Sequence, residues 1–221
     1  MDIRKKMPLF FVAAIAVMSG MLFLPAGTLD YWQAWAFLAI LFVPVAFVGL
    51  YFLKNDADFL ERRMKTKEKE ATQKSIVKIG YLIFILGFLV PGLDHRFGWS
   101  NVPAEASIIA DLFVLLGYAI CFLAFRENSY AARVVEVVEG QKVVTTGPYS
   151  IVRHPMYVGV ILMYIAIPFA LGSYSALLFF LPIIPMLIYR ILNEEEVLLR
   201  ELEGYGEYCQ KTKYRLIPGV W

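Results

Sequence analysis

Residues 155–189 read PMYVGVILMYIAIPFALGSYSALLFFLPIIPMLIY and contain no charged side chain over 35 positions. A continuous helix of that length would be about 52 Å long, whereas the hydrocarbon core of a bilayer is about 30 Å thick. The run therefore cannot be a single spanning helix, and Gly172-Ser173 near its middle is a turn signal. We predict two transmembrane helices that are joined at this turn as a tight hairpin.

Four further apolar stretches precede this run, at residues 7–29, 31–53, 75–93 and 106–125. The chain is 59% hydrophobic and 18% charged, whereas a soluble domain is about 45–50% apolar and about 25% charged. We therefore predict an all-α integral membrane protein with six transmembrane helices. A cleaved signal peptide is the alternative for the first stretch, but its 23 apolar residues are long for one and no small-x-small cleavage site follows.

The basic residues predict the orientation of the helices. With six spans, 20 of the 21 lysines and arginines lie on one side of the membrane, and only Arg96 lies on the other. Since cytoplasmic loops carry the excess of basic residues, both termini are expected to be cytoplasmic. A bacterial inner membrane and the endoplasmic reticulum are both compatible with this distribution of basic residues.

Several classes of function are not supported by the charge and the cysteine content. A net charge of +2 is too small to indicate a nucleic-acid partner, and membrane lipid head groups account for most of the basic residues. Cys121 falls within a predicted span and Cys209 in the C-terminal tail, so we expect no disulfide. With His95 and His154 as the two histidines, on opposite sides, no metal site is expected.

The polar residues before the fifth span form the first candidate site. Residues 133–146 contain two β-branched runs around Glu139-Gly140, which predict a short β-hairpin or paired extended segments. The chain then continues through Arg153 and His154 to Pro155, a residue suited to the first turn of a helix. Free backbone N–H groups at such a helix start bind anions, although the same two side chains could simply anchor the span at the interface.

The end of the sixth span forms the second candidate site. Arg190 and Glu194 are four residues apart, a spacing that also suits an ordinary helical ion pair. Residues 194–196 are three consecutive glutamates that cover most of a helical turn, so at least one of them should face the helix bundle, close to His154. Residues 197–202 continue a helix into the cytoplasm, and the aromatic tail after it is either an interfacial anchor or a lid over this rim.

These two sites resemble the isoprenylcysteine carboxyl methyltransferase family and its phospholipid methyltransferase relatives. The first block is similar to the family signature Gly-x-Tyr-x-x-x-Arg-His-Pro-x-Tyr, here Gly147-Pro148-Tyr149-x-x-x-Arg153-His154-Pro155-x-Tyr157. The second block, an arginine followed by glutamates, a Gly-x-x-Tyr stretch and a late proline, is similar to Arg190, Glu194-Glu195-Glu196, Gly204–Tyr208 and Pro218. The resemblance covers residues 141–221, and the first helical hairpin is a departure because the family includes shorter members.

The resemblance implies S-adenosylmethionine as the cofactor and a methyl transfer at the cytoplasmic membrane face. The residues that it implies for cofactor binding are Gly147, Pro148, Tyr149, Arg153, His154, Tyr157, Glu194 and Glu195. Arg190 and Glu195 are implied as catalytic residues, with Arg190 on the carboxylate of the substrate. It also divides the chain into an N-terminal transmembrane region, residues 1–130, and a methyltransferase-like region, residues 131–221.

The nature of the methyl acceptor stays open at this point. A lipophilic carboxylate, such as a prenylcysteine or an isoprenoid acid, needs no general base at pH 7 because its reference pKa is near 4. A phosphatidylethanolamine-type amine is the first alternative, and it would have to lose a proton to His154 or a glutamate. An NADPH-dependent reductase of the sterol-reductase type and a non-enzymatic membrane scaffold are further alternatives.

Overall fold

The computed structural model describes residues 3–64, 71–131 and 137–221, and these form an almost entirely helical protein. Apart from a 3-10 turn at Gly147–Ser150, the helices are α1 (Ile3–Ala26), α2 (Trp32–Asn55), α3 (Ala57–Met64), α4 (Ala71–Phe97), α5 (Ala104–Glu127), α6 (Pro155–Ala170), α7 (Leu177–Phe180), α8 (Ile183–Glu201) and α9 (Tyr205–Lys211). The prediction of an all-α fold is confirmed for these residues.

A helix lies at each predicted span. Four stretches within the described residues are long and apolar enough to cross a membrane: Met7–Ala26, Trp32–Asn55, Ala104–Glu127 and Leu177–Glu201. The helix Pro155–Ala170 is apolar but shorter. The protein is therefore an integral membrane protein, while the count of six spans stays a prediction.

The chain leaves its helical path where the long apolar run predicts a turn. Helix α6 ends at Ala170, and residues 171–176 are not helical. Gly172 has a φ of +68°, a left-handed conformation that glycine adopts without strain. The next apolar segment is itself interrupted, since α7 stops at Phe180 and α8 starts at Ile183 beyond Pro182.

The predicted extended segment at residues 133–146 is only partly described. Residues 132–136, which hold most of its first arm, lie outside the described residues. Within residues 137–146 a turn forms where Gln141 N donates to Val138 O over 3.0 Å, but no strand forms there. The turn was predictable from Glu139-Gly140, whereas the paired strands are not found in the described arm.

Helices α5 and α6 are in backbone contact, and this contact positions the motif that starts α6. A Cβ added to Gly159 would lie 2.5 Å from Gly117 O and 2.7 Å from Cys121 Sγ. A Cβ on Gly117 would lie 2.7 Å from Gly159 O. Because both glycines lack a side chain, the two helices approach closely enough to hold the start of α6 against the end of α5.

The other end of the bundle is held by a buried carboxylate. Asp94 Oδ1 accepts the backbone N–H of Ser100 over 2.7 Å, and Asp94 Oδ2 accepts the hydroxyls of Ser100 and Ser173. In addition, the Tyr31 hydroxyl donates to Leu171 O. These hydrogen bonds join α4 and the start of α2 to the turn after α6, so the end of the bundle opposite the motif is closed.

We expect Gly159→Ala to lower the free energy of unfolding by about 1–3 kcal/mol, because the added methyl group forces α5 and α6 apart. Gly20→Ala in α1 is the matched control, since its Cβ would meet nothing closer than Leu24 Cδ1 at 3.7 Å. In this control the free energy of unfolding should be unchanged or higher by up to about 1 kcal/mol, because alanine has a higher helix propensity than glycine. Equal unfolding curves in detergent for both variants would contradict the close packing.

Candidate functional site

The Gly-Pro-Tyr end of the motif is fixed against the end of α5. Gly147 has a φ of +56°, and a Cβ there would lie 3.0 Å from the carboxyl group of Glu127. The Thr146 hydroxyl donates to the same carboxylate. Position 147 favours glycine because of its left-handed conformation, and a Cβ there would require the Glu127 side chain to shift, which accounts for the residue without any contact to a ligand.

The backbone at the start of α6 is occupied by the C-terminal tail. Arg153 N donates to Tyr214 O over 2.9 Å, and His154 N donates to Arg215 O over 3.0 Å. These two N–H groups precede α6 and are satisfied by tail carbonyls, while the anion site expected at the first turn of the helix stays a prediction. The tail residues that bind here are half-buried or exposed, and Leu216 beside them is buried.

Glu195 is buried and binds three cationic or potentially cationic side chains. Its Oε1 accepts from Arg153 Nε over 2.7 Å and lies 3.1 Å from His154 Nε2, while its Oε2 accepts from Arg215 Nε over 2.8 Å. Arg153 also donates to the carbonyls of Thr212 and Lys213 over 3.2 and 3.1 Å. One carboxylate thus connects α8, the start of α6 and the tail.

Glu194 belongs to a different hydrogen-bond chain on the same helical turn. The Tyr157 hydroxyl donates to Glu194 Oε2 over 2.7 Å, and Arg190 Nε donates to the Tyr157 oxygen over 3.0 Å. His154 Nδ1 lies 3.9 Å from Glu194 Oε1. A carboxylate and a guanidinium are therefore held on either side of one tyrosine hydroxyl.

These groups line a cavity of about 100 Å³ between the motif, α8 and α9. The predicted site residues that line it are Tyr149, Arg153, His154, Tyr157, Arg190 and Glu194. The other three, Gly147, Pro148 and Glu195, do not line it. Of the three glutamates, Glu194 alone lines the cavity, while Glu195 lies in the network behind it and Glu196 is exposed.

An aromatic wall completes the cavity, and sequence reasoning did not include it among the site residues. Tyr205 and Tyr208 of α9 also line the cavity, and the Tyr208 hydroxyl donates to Tyr149 O over 2.7 Å. Burial raises the pKa of Tyr149 to about 12, and the nearby Glu194 carboxylate adds to this effect. The glycine before Tyr205 was the sequence signal for this helix. Gly204 has a φ of +81° and caps the N-terminus of α9, of which Tyr205 is the first residue.

The Tyr205 hydroxyl is buried and has no hydrogen-bond partner among the described residues. A buried polar group without a partner costs about 1–3 kcal/mol, so such groups in native proteins call for an explanation. Because Tyr205 lines the cavity, a ligand with a hydrogen-bond acceptor could satisfy it.

Residues 106–206 match the family model described as phospholipid methyltransferase. The match takes in α5, the motif, α6 to α8 and the first two residues of α9, and thus every cavity residue named above except Tyr208. It confirms the resemblance of this part of the chain to that group of membrane methyltransferases. The boundary between residues 130 and 131 stays a prediction.

A curated relative shares a shorter stretch. Over 85 residues the chain is 29% identical to the Delta(14)-sterol reductase TM7SF2 of Mus musculus. The aligned part covers 37% of this chain and 20% of the reductase, so the similarity is local.

We expect Glu195→Gln to release the tail, because it leaves the guanidinium groups of Arg153 and Arg215 without their counter-charge. Loss of one partner from a buried ion pair costs about 3–5 kcal/mol. Trypsin should then cleave after Lys211 and Lys213 faster than in the unchanged protein, while the exposed Glu196→Gln serves as the matched control. Equal cleavage rates in the two variants would show that Glu195 does not hold the tail.

Proposed function

We propose that the protein is an S-adenosylmethionine-dependent methyltransferase that acts on a lipophilic carboxylate at the cytoplasmic face of the membrane. One observation carries the proposal: Glu194 and Arg190 are joined through the Tyr157 hydroxyl in a cavity of the part of the chain that resembles these methyltransferases. The carboxylate can bind a cationic donor, and the guanidinium can orient an anionic acceptor. A prenylcysteine-like or isoprenoid acid fits the acceptor side.

The topology we propose has six spans, with the last two as a hairpin and both termini cytoplasmic. A helix at every predicted span supports it, as does the break at residues 171–176. The distribution of the basic residues supports the orientation. At 16 residues α6 is about 24 Å long, below the thickness of the hydrocarbon core, so we propose that it spans a locally thinned part of the bilayer.

The residues present fit S-adenosylmethionine, which supplies a methyl group on a positively charged sulfur. Glu194 offers a carboxylate to a cationic part of the cofactor, and Tyr205 offers its unsatisfied hydroxyl to an acceptor group. The faces of Tyr149, Tyr205 and Tyr208 can stabilise a cation in a water-poor site. Ligand sites usually measure about 300–1,000 Å³, so a cavity of about 100 Å³ must widen on binding.

The residues would act mainly by positioning the reactants and excluding water. Arg190 would hold the acceptor carboxylate by charge-assisted hydrogen bonds, with its orientation fixed by Tyr157. The α9 tyrosines would keep water from the acceptor oxygen, and the bound cofactor would supply the methyl group to this oxygen and leave as S-adenosylhomocysteine when its sulfur–methyl bond breaks. No proton has to be removed, because a carboxylate is already ionised at pH 7.

The comparisons favour testing two other reactions. The description of the matched family favours an amine of a phospholipid as the acceptor, and His154 or Glu194 would then have to take its proton. The local similarity to a sterol reductase favours NADPH, whose 2′-phosphate needs cationic partners. Of the cationic side chains that line the cavity, Arg153 is bound to Glu195 and Arg190 to the Tyr157 hydroxyl, and Lys142 is the candidate for that phosphate.

Calorimetric titration of the purified protein in detergent should detect binding of S-adenosylhomocysteine and none of NADPH. Glu194→Gln should weaken the affinity for S-adenosylhomocysteine about tenfold, because it removes a charge from the cavity wall. Glu196→Gln is the control, since this neighbouring carboxylate is exposed and should leave the affinity unchanged. Binding of NADPH alone would overturn the proposed function.

We expect Arg190→Ala to reduce methyl transfer at least a hundredfold while the affinity for S-adenosylhomocysteine changes less than threefold, because Arg190 serves the acceptor. Arg200→Ala, on the exposed end of α8, is the control. Transfer of a labelled methyl group to a prenylcysteine analogue and to phosphatidylethanolamine should be compared. Base-labile label in the prenylcysteine analogue indicates a methyl ester and supports a carboxylate as the acceptor. Base-stable label in phosphatidylethanolamine would instead show that the acceptor is an amine.

A further inference from the structure

Part of the wall of the cofactor cavity has no regular secondary structure. Asn128, Tyr130 and Ala131, which follow α5, line the cavity, and so do residues 141–144. We call residues 128–131 and 141–144 the loop wall, and all of them are half-buried or exposed. Because local opening occurs where few buried contacts have to break, the loop wall is the part that can move when a cavity of about 100 Å³ widens around a ligand.

The two segments of the loop wall are joined to each other by a side chain. Tyr130 N donates to Asn128 Oδ1 over 3.0 Å, which fixes the turn after α5. The Tyr130 hydroxyl donates to Gly140 O over 3.3 Å, and Gly140 directly precedes the second segment. A contact that holds the first segment in place therefore also restrains the second.

Arg62 of α3 makes such a contact, although it does not itself line the cavity. Its Nε and Nη2 groups both donate to Ser129 O, over 3.1 and 2.8 Å. The same guanidinium lies 3.7 Å from Asp56 Oδ1, which accepts the N–H of Phe59 and so caps the start of α3. Two charge-assisted hydrogen bonds from one planar group thus fix the position of the Ser129 carbonyl.

Helix α3 is a firm support for this contact. The Phe59 side chain is buried, and its ring centre lies 4.3 Å from that of Phe52 in α2 and 5.3 Å from that of Phe125 in α5. Aromatic pairs at such distances stabilise packing beyond the area that they bury. Since α3 lies outside residues 106–206, which match the methyltransferase family model, the N-terminal region supports a wall of the cavity.

We propose that Arg62 is a positioning residue for the cofactor: it holds the loop wall closed over a bound ligand and thereby slows release of the ligand. This inference rests on the proposed function and gives the N-terminal region a role in it. When the loop wall moves outward to let a ligand leave, the bonds from Arg62 to Ser129 O have to break. Hydrogen bonds from a charged group are among the stronger ones in proteins, so their loss favours the open arrangement.

The test is the rate at which radiolabelled S-adenosylhomocysteine leaves the purified protein in detergent after excess unlabelled ligand is added. We expect Arg62→Gln to release the ligand about tenfold faster than the unchanged protein does. Arg62→Lys should release it at an intermediate rate, because an ammonium group can donate to Ser129 O but lacks the fork of two donors. A variant that is only less stable would contain less protein able to bind, but its bound fraction would release the ligand at the unchanged rate.

Arg126→Gln is the matched control for these variants. It makes the same change in residue type and charge at an exposed arginine in the last turn of α5. We expect it to leave the release rate unchanged.

Hydrogen exchange of the ligand-free protein gives a readout that does not depend on the cofactor. Gln141 N donates to Val138 O over 3.0 Å, so this amide is protected while the second segment stays in place. Peptides that cover residues 137–144 should exchange faster in Arg62→Gln than in the unchanged protein or in Arg126→Gln. Peptides of α6 should exchange alike in all three proteins, which verifies that the helices are intact.

The inference is overturned if Arg62→Gln releases S-adenosylhomocysteine at the rate of the unchanged protein, or if Arg126→Gln speeds release equally. Equal exchange of residues 137–144 in Arg62→Gln and in the unchanged protein would also overturn it. Failure of the unchanged protein to bind S-adenosylhomocysteine refutes the proposed function instead. The exchange experiment then still decides whether Arg62 holds the loop wall.

Discussion

The arrangement around the cavity depends on the buried carboxylate of Glu195. Arg153 and His154 precede α6, Glu195 lies near the end of α8, and Arg215 belongs to the tail, so one side chain connects three segments that are far apart in sequence. Burial of the Glu195 carboxylate with the Arg153 guanidinium is costly unless every charge is paired, and the half-buried Arg215 supplies a second guanidinium. That requirement permits few alternative arrangements, and it brings Glu194 and Tyr157 into contact on the cavity side.

Hydropathy and two short motifs predicted a large part of this structure. The apolar runs located a helix for each expected span, and Gly172-Ser173 located the break after α6. The sequence could not decide which of residues 194–196 faces the cavity, because neighbouring residues on a helix differ by about 100° in direction and the phase depends on tertiary packing. Helix α3 was missed, although Asp56 followed by an amphipathic eight-residue pattern was a usable signal.

The other features that the sequence did not predict arise from contacts that leave no local pattern in the sequence. The tail binds the residues just before α6 through backbone N–H and carbonyl groups. Because almost every residue type has these groups, no residue type in the sequence indicates this contact. Arg62 stood in a loop rich in basic residues, where contact with lipid head groups was the ordinary interpretation.

The end of the bundle opposite the cavity is held by the hydrogen bonds of a second buried carboxylate, that of Asp94. Asp94 has hydrogen bonds to the backbone and hydroxyl of Ser100 and to Ser173, and these tie the end of α4 to the turn after α6. Local opening of a protein occurs where few buried contacts have to break, so this end should be among the last parts to exchange its amide hydrogens. Fluctuations that widen the cavity can therefore take place at its end of the bundle without loosening the end that Asp94 holds.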